Sequence, residues 1–248
     1  MRTTILRFDS IDSTNAEAAR QAKLGAPEGL CIVAREQTHG RGRLGRVWIS
    51  PKDAGLYFSI VLRPRLETGA WPLISLMAAL AVSDALRRAY GLQADLKWPN
   101  DVCVENRKLS GILSEALETE GSYAVIVGIG INLRREALPA ELCELATSVE
   151  SATDKRPSAE VVLRELIPAI DHHYSVLQGP DGDKKTIHEW RSRSSYAEGK
   201  RVRVSVVRET FEGVTRGLEP DGALRVETSA GEIRIVHAGD ITSVRDEG

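Results

Sequence analysis

The sequence predicts a mixed α/β (α+β) domain followed by a small all-β barrel, on three observations. Short apolar runs of strand length alternate with helical patterns over the first three quarters of the chain. The 248 residues are 42% apolar and 27% charged, which is globular and long enough for one large domain or a medium and a small one. From about residue 198 the texture turns to strict alternation broken by Gly-containing turns, which divides the chain into 1–197 and 198–248.

The elements follow in order. Thr3–Phe8 reads as a strand, and Thr14 with Glu17 three residues on is a capping-box pattern opening an Ala-rich helix to about Lys23. Leu30–Glu36 reads as a buried strand, and Leu56–Leu62 as another by its aromatic and β-branched content. Residues 70–90 are apolar nearly throughout, predicting a long buried helix ended by Gly91. Leu96–Trp98, Val102–Val104, Lys108–Ala116 and Tyr123–Leu133 read as strands separated by turns such as Glu105-Asn106 and Glu120-Gly121. Residues 134–157 are acidic and irregular. Ser158 is expected to cap a helix to Leu177 that Pro168 kinks or divides, and a short helix follows the loop Gln178–Lys184. In Arg201–Val207, Val202, Val204 and Val206 share one face, and the turns at 219–222 and 229–232 mark off further strands of a barrel of about five.

Charge and cysteine usage exclude several classes. The net charge is −2, with residues 1–100 at +5, 101–160 at −5 and 161–248 at −2. A basic excess confined to one region suits a small anionic ligand better than a nucleic acid. Cys31, Cys103 and Cys143 are odd in number and widely spaced, which argues against a CxxC zinc site or a disulfide framework and for a reducing cytosol. No uninterrupted apolar run approaches the roughly 20 residues of a bilayer span. Arg7, Asp9 and Asp12 interrupt the N-terminal apolar stretch, making it a poor signal peptide.

Four clusters carry chemistry. Residues 37–52 (QTHGRGRLGRVWISPK) hold Gly40, Gly42, Gly45, Arg41, Arg43, Arg46 and Lys52 without one acidic residue. Such glycines let backbone amides approach a ligand, and arginine forks match phosphate or carboxylate oxygens. The Gly40-x-Gly42-x-x-Gly45 spacing meets the dinucleotide fingerprint, but extended, Pro-stopped chain follows where a helix should open. A kinase glycine loop fails too, for want of its Asp-Phe-Gly and His-Arg-Asp elements. Taken alone, the stretch reads equally as a charged surface loop or an RNA-contacting tract. Lys97-Trp98-Pro99-Asn100-Asp101 looks like a rigid corner, or a strand-ending turn with a core Trp. Lys108 opens an apolar strand with a small Ser110-Gly111 step, and Gly128-Ile129-Gly130-Ile131-Asn132 places glycines inside another, where a ligand or a second backbone comes close.

These clusters in this order, with Ser13-Thr14-Asn15 before them, resemble the biotin protein ligase family over roughly residues 8–133 plus the C-terminal barrel. The resemblance implies a catalytic domain akin to the class II aminoacyl-tRNA synthetase core, followed by an SH3-like barrel. It implies formation of biotinyl-5′-adenylate from biotin and Mg-ATP, and transfer of biotin to one lysine of a biotin carboxyl carrier domain. Lipoate or octanoate ligation on the related fold is the alternative, and a non-catalytic nucleic-acid regulator is the alternative from another class. The short N-terminus before the first motif implies that the DNA-binding role of longer family members is absent. The resemblance also implies a cytoplasmic enzyme with no membrane partner, and family members often pair as homodimers through sheet edges.

Residue roles carry over by position. Ser13, Thr14, Asn15 and Gln37 would hold the biotin ring end, and Gly40, Arg41, Gly42 and Arg43 the loop over biotin and adenylate. Lys108 would contact the biotin carboxylate and α-phosphate, with Gly111, Gly128 and Gly130 lining the pocket. Arg43 and Arg46 would meet ATP phosphates, and Trp48 and Asn132 the adenine side, with Lys97, Trp98 and Asn100 nearby. Asp101 is the candidate for positioning Mg2+. Lys108 and Arg43 are the expected catalytic pair, because joining a carboxylate to a phosphate needs cations as charge develops. His39 stands where the family often has a small residue, and reads as a titrating group or an inert imidazole. Arg216-Gly217 of the C-terminal part is a candidate to reach over the ATP site.

Overall fold

A computed structural model describes residues 1–206 and 209–244; Val207, the expected end of one strand, lies outside them. The chain runs β1 (Thr4–Phe8), α1 (Thr14–Lys23), β2 (Leu30–Ala34), β3 (Gly55–Leu62), α2 (Pro72–Tyr90), β4 (Asp95–Lys97), β5 (Asp101–Val104), β6 (Arg107–Thr119) and β7 (Ser122–Asn132). It continues through α3 (Val149–Thr153), α4 (Ala159–Leu177) and α5 (Gly182–Ser192). The C-terminal strands are β8 (Glu198–Val206), β9 (Glu209–Leu218), β10 (Leu224–Thr228), β11 (Ile233–Val236) and β12 (Asp240–Ser243).

The first sheet has seven strands in the order β1-β2-β3-β7-β6-β5-β4, with β1 and β2 parallel and the remaining pairs antiparallel. Side chains alternate across it. Leu56, Phe58, Ile60 and Leu62 of β3 join Val125, Val127, Ile129 and Ile131 of β7 in the main core, with α2 and α4. The opposite face carries α1, whose Ala18 and Ala22 pack on Ile32, Val61, Ala124 and Ile126. Helix α2 is long and apolar enough to cross a membrane by composition, but 72% of that window is buried within the fold. Gly91 ends it at φ 72°, a conformation glycine takes freely.

Two local expectations are corrected. The cap of α1 is Ser13, whose Oγ accepts the Ala16 N–H, one residue before the predicted Thr14. Thr14 is drawn instead into contacts with Gln37 and Ser59. Pro168 does not divide α4, which runs unbroken from Ala159 to Leu177. Pro168 and Arg164, whose carbonyl loses its partner, both lie on the exposed side of the helix, where water can take the freed acceptor.

The five C-terminal strands form an antiparallel sheet in the order β11-β10-β9-β8-β12. Among the described residues it has two end strands, so the expected barrel is here a sheet that does not close. Its inner residues Val202, Val204, Leu224, Val226 and Ile241 belong to the same apolar cluster as α2. Trp98 Nε1 donates to the Gly222 carbonyl across the junction, at 3.0 Å. The C-terminal sheet therefore shares its core with the first domain.

Candidate active site

Alternation along β7 builds the site. Ala124 and Ile126 face α1, and the next two residues of that face are Gly128 and Gly130, followed by Asn132. Gly130 pairs with Gly111 of β6 and Tyr57 of β3, and Gly128 with Leu113 and Ser59. Side-chain volume thus vanishes just beyond the first turn of α1, leaving a cavity of about 520 Å³, within the range of small-molecule sites. The glycines are required: a Cβ at Gly128 would lie 2.1 Å from Asn15 Oδ1, and one at Gly130 2.3 Å from the Trp48 indole.

A network of uncharged polar side chains, tied at its edge to the Glu115 carboxylate, fills one end. The Thr14 N–H donates to Gln37 Oε1 at 2.8 Å, and Gln37 Nε2 donates to Ser50 Oγ at 2.9 Å. Ser59 Oγ donates to Asn15 Oδ1 at 2.6 Å and lies 2.8 Å from Thr14 Oγ1. Asn15 Nδ2 donates to the Leu113 carbonyl and to Glu115 Oε2, at 3.2 and 2.9 Å.

The glycine-arginine stretch is a small hairpin over the cavity. Arg41 pairs with Val47 as an antiparallel bridge, Gly42 N–H donates to the Arg46 carbonyl at 2.7 Å, and Trp48 N–H to the Gly40 carbonyl at 3.0 Å. Its tip turns through Leu44 and Gly45 at φ 56° and 74°, the positive pair that tight hairpins need. A Cβ at Gly40 would meet the Trp48 carbonyl at 2.2 Å, so Gly40 serves the base of the hairpin.

Each cation of the site leans on an oxygen acid of the protein. Arg41 donates to Glu115 Oε1 at 2.5 Å, and Arg46 pairs with Asp240 of β12. Arg43 donates to Asn100 Oδ1 and the Gly239 carbonyl, at 3.3 and 3.2 Å, with Asp240 3.6 Å away. Burial lowers the Arg43 pKa against the opposing pull of Asp240 and Asp101, and a guanidinium stays charged regardless. Lys108 Nζ is 2.6 Å from Asp101 and 5.5 Å over the Trp48 ring. The Lys108 backbone is pinned by Leu145 and Thr147, and Asn132 Nδ2 donates to the Thr147 carbonyl. The buried Trp48 Nε1 has no hydrogen-bond partner among the described residues. An apolar wall of Val47, Ile49, Leu138, Leu142 and Leu145 completes the cavity. The arrangement suits an elongated ligand, neutral and hydrogen-bonding at one end and anionic at the other.

The cavity is lined by Ser13, Thr14, Asn15, Gln37, Arg41, Gly42, Arg43 and Arg46, and by Trp48, Asn100, Asp101, Lys108, Gly111, Gly128, Gly130 and Asn132. Lys97 and Trp98 are not among its lining residues. Lys97 Nζ sits 5.5 Å over the Tyr196 ring, and Trp98, 2% exposed, is anchored in the core by Gly222. Arg216 pairs with Glu227 at 2.6 Å and lines no part of the cavity. His39 is exposed beside Thr38. Sequence reasoning missed Ser59, Glu115 and Asp240. Ser59 is a lone hydroxyl in an apolar strand, and Glu115 shares the face parity of Gly111, so both left a trace; Asp240 left none.

A cation-lined cavity on a mixed sheet, capped by a glycine-arginine hairpin, is a small-molecule site suited to an anionic ligand. Residues 7–132 match the biotin/lipoate A/B protein ligase family, and the chain belongs to it. Residues 199–242 match the biotin protein ligase C-terminal domain. The biotin–[acetyl-CoA-carboxylase] ligase of Paracoccus denitrificans is 35% identical over 237 residues, 93% of this chain and 96% of that protein. That of Mycobacterium tuberculosis is 32% identical over 243 residues, covering 94% and 86%. The biotin protein ligase of Aquifex aeolicus, solved in complex with biotin and ATP, superposes with a TM-score of 0.84 at 30% identity, over 99% of this chain and all of that one.

Proposed function

We propose that this chain is a biotin protein ligase. It activates biotin with Mg-ATP to biotinyl-5′-AMP, releasing pyrophosphate, and transfers biotin to one lysine of a biotin carboxyl carrier domain. The observation that carries this reading is the cavity with two chemical ends: a neutral network at Thr14, Asn15 and Gln37, and a cation cluster at Arg43, Arg46 and Lys108. A ureido ring suits the first and a triphosphate the second, with the carboxylate between them at Lys108. The matched biotin ligase C-terminal domain supports biotin over lipoate.

Lys108 and Arg43 lower the cost of bringing two anions together and strengthen as charge builds on phosphorus. The triphosphate would exchange Asp240 and Asp101 for its own oxygens at these cations. The hairpin would then shield the reactive acyl-adenylate from water. Among the described residues no group of three or more metal-ligating side chains exists. Asp101 and Asp240 are carboxylates of the lining, which fits a Mg2+ ion carried mainly by phosphates and water. That ion would supply further charge neutralisation. A class II synthetase-like core, an SH3-like C-terminal domain divided from it at 197/198, a homodimer and a cytoplasmic location without DNA or membrane partners belong to the same reading. Mass spectrometry after incubation with biotin and Mg-ATP, with and without a carrier domain, tests it. Biotinyl-AMP and a biotinylated carrier are expected, and neither product from biotin, or product from lipoate alone, overturns it.

A further inference from the structure

Glu115 sits in β6 two positions beyond Leu113, on the face that carries Gly111 and the cavity. Its two oxygens go to different elements: Oε1 accepts from Arg41 of the hairpin at 2.5 Å, and Oε2 accepts from Asn15 of α1 at 2.9 Å. Asn15 is 4% exposed and fully occupied, accepting from Ser59 and donating to Leu113 and Glu115. The Asn15 carboxamide lies in the space left by Gly128, so its orientation shapes the neutral end of the cavity. Arg41 differs from Arg43 and Arg46 in its partner. Those two lean on Asp240 at the anionic end, whereas Arg41 is tied back toward the neutral end. The Arg41–Glu115 pair thus shares no partner with the Asp240 cluster.

We infer that Glu115 is a positioning residue for the reaction proposed above: it clamps the hairpin through Arg41 while orienting Asn15, and so sets how long the acyl-adenylate is retained. The inference rests on that reading. Glu115 is not among the residues that line the cavity, so it acts through its partners. It does so through an ion pair on the hairpin side and through a hydrogen bond from the uncharged Asn15 amide to the carboxylate on the α1 side, and the first of these is the stronger.

The test separates the two bonds. Glu115→Gln keeps the length and an acceptor for Asn15 but removes the ion pair, and Arg41→Ala removes it from the other side. The full-length chain is loaded with radiolabelled biotin and Mg-ATP in the presence of pyrophosphatase, and release of the adenylate is followed after dilution. Each single variant is expected to release it about tenfold faster than wild type, and the double variant no faster than either alone, because both remove one interaction. Thermal melting confirms that the variants are folded, and Glu115→Ala, losing both bonds, should also raise the KM for biotin. Wild-type release from Glu115→Gln, or single effects that multiply in the double variant, overturns the inference alone. A wild-type chain that forms no adenylate overturns the underlying reading and this one with it.

Discussion

Two stretches of one sheet face have opposite fates. Under α1, Val61, Ala124 and Ile126 meet Ala18 and Ala22 and form a small apolar core. A few residues further along the same strands, Ser59, Gly128, Gly130 and Gly111 leave a cavity crossed by charged and polar side chains. Strand period and antiparallel pairing are shared; side-chain volume and the end of α1 differ. The Ser13 cap marks the border, because the backbone that would extend the helix turns away to reach Gln37 and the hairpin. A binding site here is a core with its filling removed, and each half can be altered without the other.

The largest effect expected is on the packed half. Ile126 is fully buried, so Ile126→Ala should cost about 2–5 kcal/mol of stability. Adenylate formation, assayed well below the lowered melting temperature, should stay within about twofold of wild type. A comparable loss of activity in the folded variant would break the separation of the two stretches. On the open half the balance reverses. Lys108→Ala should cut adenylate formation by about a hundredfold or more, the scale of a lost charge contact to a transition state, with little change in melting. Near-normal adenylate yield in rapid-quench assays would remove Lys108 from the chemistry.

Between these lies Gly130→Ala. Its Cβ would fall 2.3 Å from the Trp48 indole, and overpacking of that kind costs about 1–3 kcal/mol. The indole should be displaced into the ligand space, weakening biotin binding by about tenfold and changing Trp fluorescence. Calorimetry showing wild-type biotin affinity would mean that the ligand does not approach this glycine.

The contrast also explains what the sequence made legible. Strands and helices with local periodicity were readable, as were glycines and arginines whose cost is visible where they stand. Gly130 inside an apolar strand demands a reason on sight. Partners supplied from remote segments were not readable. Asp240 holds Arg43 and Arg46 from nearly two hundred residues away, and nothing in its neighbours distinguishes it from a turn aspartate. Trp98 left two readings open for the related reason that an aromatic beside charged residues looks alike whether it stacks on a ligand or fills a core. The Gly222 carbonyl that decides the matter belongs to the C-terminal sheet. Pro168 was read from its effect on hydrogen bonding alone, without the exposure that makes the loss tolerable.

The opposite face of the sheet sharpens the comparison for charges. Site cations are paired yet partly open to water, whereas His173 and Asp84 are 3% and 6% exposed, with His173 Nε2 donating to Asp84 at 2.8 Å and Arg193 adding a bond to Asp84 at 2.7 Å. Burial works against the Asp84 carboxylate, but the His173 and Arg193 contacts outweigh it and hold its pKa at about 2. Burial pushes His173 below 6.5, with Asp84 opposing only in part, so the fold disfavours the protonated ring. The unfolded chain therefore takes up this proton first as pH falls through 6.5, and stability above that pH is progressively lost below it. The carboxylate's own contribution persists until far lower pH. His173→Gln, which keeps a donor for Asp84 but cannot titrate, should melt below wild type at pH 7.5, and the gap should narrow toward pH 5. A gap that stays constant would show that the His173 ring does not resist protonation, and that this buried cluster, like the exposed pairs at the cavity, can exchange its charges freely.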